Sequence, residues 1–122
     1  MPKPRVLGLR NMGERARAQL KDVLDAYADR NAELALSVWN RDEQIDAMYN
    51  SVFRELLTYM MEDPRNIGMC THLLFGAKNL ERIGDHTTNI AETIHYFVLG
   101  RDIEADRPKQ DKTSTTLIDP TE

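Results

Sequence analysis

What this chain has little of narrows it first. It holds one cysteine, Cys70, in 122 residues. That excludes an internal disulfide and suits a reducing cytoplasm. Cys70 lies in an apolar run from Met69 to Phe75, where a small buried hydrophobe is its simplest role. No apolar run approaches the ~18 residues that a spanning helix needs. The opening Met1-Pro2-Lys3-Pro4-Arg5 has no apolar stretch behind it and does not read as a signal peptide. Alternating strand patterns are missing throughout, so the expected class is all-α. An excess of positive charge is missing too. Sixteen Lys and Arg stand against 20 Asp and Glu, a net −4, which argues against a general nucleic-acid binder. Also missing are a Gly-rich phosphate loop and a Ser or Cys nucleophile set beside a base, so no enzyme is expected.

What is present is helical periodicity, in a chain long enough for one domain with a real core. Residues 1–7 read as an extended leader, because Pro2 and Pro4 disfavour helix. A first helix is expected over about 8–30, with Leu9, Met12, Ala16, Leu20, Val23, Leu24 and Tyr27 as its seam. A second is expected over about 32–62, with Leu34, Val38, Ile45, Met48, Val52, Leu56 and Met60 inside. Its seam skips a beat between Val38 and Ile45, and the skipped position is Asp42. Pro64 stops this helix, and Asp63 is placed to cap the next one. The third helix is expected over about 65–99, closed by Gly100. These helices predict an antiparallel three-helix bundle over 8–100. The polar stretch 101–122 reads as a flexible tail.

The third helix carries a large apolar stripe, Leu73, Leu80, Ile83, Ile90, Ile94 and Phe97, and a second seam of small residues, Ala77, Gly84, Thr88 and Ala91. Two seams predict packing on both partners, or on one partner and a second bundle. Gly84 costs the helix about 1 kcal/mol against alanine, which points to something coming close there. Trp39, Tyr49, Phe53, Tyr59, Phe75 and Phe97 are expected in the core or at an interface.

Acidic residues repeat one turn apart. Asp42 and Asp46 lie on the second helix, Glu81 and Asp85 on the third, and side chains four apart sit only about 5–6 Å from each other. Counted from the turn at Asp63-Pro64, Asp46 and Glu81 are nearly equidistant, so the two pairs fall side by side. Four carboxylates in one patch suit a hard cation such as Mg²⁺, Ca²⁺, Mn²⁺ or iron. Neither thiols nor a paired-histidine set argues for zinc. The plainer alternative is a solvated acidic face, with Arg41, Lys78 and Arg82 as ion-pair partners. Glu92-x-x-His95 has the spacing used in di-iron bundles, but only one such motif occurs, and His95 reads more simply as a packing or surface residue. His86, next to Asp85, is either a fifth ligand or a surface neighbour, and the neighbour is the simpler reading.

Three stretches resemble one family. They are Arg41-Asp42-Glu43-Gln44-Ile45-Asp46, Tyr59-Met60-Met61-Glu62-Asp63-Pro64-Arg65, and the run from Leu80 through Glu81-Arg82-Ile83-Gly84-Asp85-His86 to Glu92. In order and content they resemble the PhoU family, accessory proteins of bacterial phosphate-specific transport, over about residues 7–103. The resemblance implies a three-helix repeat with paired acidic motifs that bind metal, carried here by Asp42, Asp46, Glu81 and Asp85. Asn89 and Glu92 extend the same row. It implies a divalent or trivalent ion (iron, manganese, magnesium or zinc). It implies a cytoplasmic, non-enzymatic negative regulator of phosphate-starvation signalling. Such a regulator links the phosphate transporter's ATPase subunit to a sensor histidine kinase and meets the membrane only through those partners. Family members hold two bundles and this chain one, resembling the C-terminal repeat. It is therefore expected to be a piece of a longer protein or a single-repeat member, and to self-associate as a homodimer. Two other functions stay open: a carboxylate-bridged metal enzyme, and a purely structural helical module.

Overall fold

The computed structural model describes residues 6–103. Among them there is no strand. Helix α1 spans Leu7–Asp29, α2 Ala32–Asn40, α3 Asp42–Glu62, and α4 Ile67–Leu99, with a single 3-10 turn at Pro64–Asn66 before α4. The leader residues 1–5 and the tail residues 104–122 lie outside the described residues.

The ends are set by local chemistry. Arg30 adopts the left-handed conformation at φ 52° and closes α1. Asn31 then caps α2, its Oδ1 accepting from the Leu34 N–H at 3.0 Å. Asp63 accepts from the Arg65 N–H at 3.0 Å, with Pro64 at the first position of the turn. Gly100, at φ 72°, ends α4.

The second limb is broken where one continuous helix was expected. Arg41, at φ −90° and ψ −2°, separates α2 from α3. No glycine or proline marks the break. Instead the Arg41 guanidinium reaches back to the Ser37 carbonyl at 3.3 Å and across to Asp22 on α1 at 2.6 Å. The break starts a fresh helix at Asp42, the residue at the skipped beat.

The limbs pack with α1 and α4 parallel, and α3 antiparallel to α4. Gln19 meets Thr87 and Arg30 meets Phe97, whereas Asp42 meets Thr88 and Tyr49 meets Lys78. The core has two lobes. One gathers Met12, Ala16, Ile45, Val52, Leu56, Cys70 and Ala77. The other gathers Val23, Ala26, Ala35, Val38, Trp39, Ala91 and Ile94. Between them runs a buried polar waist of Gln19, Asp42, Thr87 and Thr88. Burial pushes the Cys70 thiol up, as expected of a core cysteine.

The expected seams divide on inspection. On α1, Met12, Ala16 and Val23 face inward, joined by Ala26, outside the expected seam, and by Gln19, which an apolar count passes over. Leu20, Leu24 and Tyr27 face outward. On α4 it is the small seam that is buried, with Ala77, Gly84, Thr88 and Ala91 inside. Ile83, Ile90 and Phe97 from the large stripe are exposed, as are Phe53 and Phe75. Small residues bring α4 close to its neighbours. A Cβ placed on Gly84 would lie 3.1 Å from Ile45 Cδ1, so what comes close there is the side chain of α3. Residues 101–103 turn back onto the bundle. Ile103 packs on the second lobe, and His95 Nδ1 lies 3.1 Å from the Arg101 carbonyl.

Candidate metal centre

The site is built by the first two turns of α3 lying against the middle of α4. Asp42 opens α3 in its first turn, and Asp46 follows one turn on. Both are buried, at 1% and 7% exposure. Glu81 and Asp85 lie across from them on α4 and are half-buried. The antiparallel register brings all four expected carboxylates into one patch.

Their charge shows it. The Asp46 carboxyl is pushed up to about 7. Burial is the largest cause, followed by the negative charge of Asp42, a hydrogen bond with Glu81, and the charges of Asp85 and Glu81. A proton is therefore held between α3 and α4 near neutral pH. Two further groups frame the patch. The Thr88 hydroxyl donates to Asp42 Oδ1 at 2.9 Å. The Lys78 ammonium donates to Glu81 Oε1 at 2.8 Å and lies 5.2 Å from the Tyr49 ring. Its hydrogen bond to Glu81 raises its pKa.

Among the described residues, no three His, Cys, Asp or Glu side chains stand in an arrangement that would already hold a metal ion. The patch is a concentration of oxygen donors and negative charge, relieved by a shared proton and by Lys78. That donor set fits a hard cation by type and charge. A bound cation would take over the neutralisation that the Asp46 proton now supplies.

The other candidates disperse. Glu92 is exposed and accepts from the Trp39 indole N–H at 2.9 Å, while His95 is buried beside Arg101. The two residues of Glu92-x-x-His95 thus have different partners, neither of them in the carboxylate patch. His86 and Asn89 are exposed. Arg41 pairs with Asp22. Sequence reasoning passed over Gln19, Thr87 and the part Thr88 plays beside Asp42. The signal was there in Thr87-Thr88, two adjacent β-branched hydroxyls mid-helix, one turn beyond a glycine.

Comparison with known proteins places this geometry in context. The chain matches the PhoU domain over residues 9–94. It is 62% identical over 115 residues to a phosphate-specific transport system accessory protein PhoU homolog of Rhizobium meliloti (strain 1021), covering 94% of this chain and 48% of that protein. It is 58% identical over 106 residues to the protein of the same description in Caulobacter vibrioides, covering 87% and 46%. The crystal structure of PhoU from Pseudomonas aeruginosa is similar at a TM-score of 0.78 and 43% identity, covering 81% of this chain and 48% of that one. The chain thus spans about half the length of the relatives it matches.

Proposed function

This chain belongs to the PhoU family, and from that premise we propose that it serves phosphate uptake as a regulatory adaptor with a carboxylate metal centre. Asp42, Asp46, Glu81 and Asp85 are the ligands. The cation is divalent or trivalent and hard, with iron, manganese or magnesium suiting the oxygen donors best. The adaptor links the ATPase subunit of a phosphate transporter to a sensor histidine kinase and restrains the starvation response. It acts by binding partners, not by catalysis. The observation that carries the metal proposal is the convergence on Asp46 of burial and three neighbouring carboxylates, which makes the patch a demand for positive charge. The adaptor role is carried by the likeness to PhoU homologs described as accessory proteins of phosphate-specific transport.

A second copy of the chain is part of the same proposal. Leu20, Leu24 and Tyr27 of α1 and Ile83, Ile90 and Phe97 of α4 are exposed apolar side chains of these parallel helices, and the contact is proposed to run along the seam between them. The approach of Leu80 to Gly13 and the stacking of Arg30 on Phe97 at 4.9 Å fix the seam's position. The relatives carry as much chain again, and a homodimer across this seam would supply a body of the same size.

The deciding experiment is thermal unfolding of the chelator-treated protein with and without Mn²⁺, Mg²⁺, Fe²⁺ and Ca²⁺, beside an Asp42→Asn/Asp85→Asn variant. A cation at 100 times its Kd stabilises by about 2.7 kcal/mol, so a Tm rise of several degrees is expected for the parent and none for the variant. Equal insensitivity of both proteins to every cation would reduce the patch to a charged face and leave a structural interaction module.

A further inference from the structure

Thr88 stands where the polar waist meets the carboxylate patch. Its side chain is fully buried. Its hydroxyl has one proton and two acceptors in reach, Asp42 Oδ1 at 2.9 Å and the Gly84 carbonyl at 3.0 Å. The Gly84 carbonyl is already served by the Thr87 hydroxyl at 2.7 Å. A carboxylate is also the stronger acceptor. The Thr88 proton therefore goes to Asp42. Branching at Cβ limits the χ1 choices of threonine in a helix, and complete burial leaves the side chain no other place to turn. Asp42, which follows the break at Arg41 and opens α3, is itself buried at 1% exposure and meets this fixed hydroxyl.

From this we infer that Thr88 is a positioning residue for the metal centre. Its hydroxyl pins Asp42 in the orientation that keeps this carboxylate on the patch with Asp46, Glu81 and Asp85. Thr87 makes the arrangement possible by taking the Gly84 carbonyl, with Gln19 Nε2 donating to Thr87 Oγ1 at 3.0 Å from α1. Gly84 makes it possible by admitting Ile45 and drawing α3 against α4 one turn away. The inference rests on the metal proposal above and adds a residue that is not itself a ligand.

The test compares Mn²⁺ affinity, by calorimetric titration of folded protein well below its Tm, in the parent, Thr88→Val, Thr88→Ser and Thr87→Val. Loss of an outer hydrogen bond to a metal ligand costs about 10–100-fold in affinity. Thr88→Val is expected to lose about tenfold, and Thr88→Ser, which keeps the hydroxyl, to recover most of it. Thr87→Val removes a hydroxyl from the same buried layer and is expected to lower Tm with affinity unchanged. The loss in Thr88→Val should also vanish in an Asp42→Asn background. Unchanged affinity in Thr88→Val, or an equal loss in Thr87→Val, overturns the inference while leaving the metal centre standing. A parent that binds no Mn²⁺, Mg²⁺, Fe²⁺ or Ca²⁺ overturns the metal centre and the inference with it.

Discussion

Asp46 gathers the cost of the whole patch. Its folded-state pKa, about 7, is raised above the ordinary aspartate value of 3.8. The native state therefore holds this proton more tightly than the unfolded chain does. The resulting stabilisation is complete below pH 3.8 and is lost as pH rises through 7. In chelator, Tm should fall between pH 4 and pH 8, and Asp46→Asn should remove most of that slope. Against the parent, the variant's advantage should be largest at pH 8, on the order of 2 kcal/mol after discounting for solvent at the patch edge. Urea unfolding at the two pH values measures it, and a parent more stable at pH 8 than at pH 5 would contradict the assignment. Gln19 offers a second residue-level case. It is fully buried and its Oε1 has no hydrogen-bond partner among the described residues, although its Nε2 reaches Thr87. A buried acceptor left unsatisfied costs about 1–3 kcal/mol, roughly cancelling the hydrogen bond on the other side of the amide. Gln19→Leu, similar in size, should be neutral or stabilising by up to ~1 kcal/mol. A loss above ~1 kcal/mol in denaturant melts would mean that the amide contributes more than it costs.

At the scale of the helices, the small seam of α4 governs the fold. Gly84 lies against Ile45, and the side chain it lacks would occupy the space in which α3 approaches. Gly84→Val should destabilise by about 1–3 kcal/mol through overpacking, read by thermal melts. A neutral result would mean that α3 can back away. This scale also shows how much the sequence discloses. The helix ends at Asp63-Pro64 and Gly100 could be read from it, because capping chemistry is local. The pairing of Asp42 and Asp46 with Glu81 and Asp85 could be read too, because a helical hairpin has one register about its turn. The break at Arg41 could not, since it is held by Asp22 from a different helix rather than by a local glycine or proline. Nor could the inward face of α1, where Gln19 takes a core position that hydropathy assigns to Leu20. Long helices with two apolar faces leave open which face is covered, and here the neighbours' shape decides.

For the whole molecule, the uncovered face is the main expectation. Tyr27 and Phe97 are 69% and 62% exposed at the α1–α4 seam, in the company of four aliphatic side chains. Exposed apolar side chains in such number point to an association site when they form one patch. Sedimentation equilibrium should find a dimer at micromolar concentration, and Leu24→Glu should shift it to monomer with little change in Tm after dilution. A parent that stays monomeric at high micromolar concentration would dispose of the homodimer. Among the described residues no helix is long and apolar enough to cross a membrane.

The polar waist has a further consequence, for how the bundle comes apart. Cooperativity in a small domain depends on apolar contacts that run unbroken through it. Here the buried apolar residues fall into two lobes, with Gln19, Asp42, Thr87 and Thr88 buried between them. The helix is also interrupted at Arg41, next to Asp42. Each lobe can then open on its own, with α1 and α4 as the shared spine. Native-state hydrogen exchange should sort the amides of α2 and the second half of α3 into two sets with distinct opening free energies. A cation bound at the carboxylate patch, which shares Asp42 with the waist, should merge those sets into one.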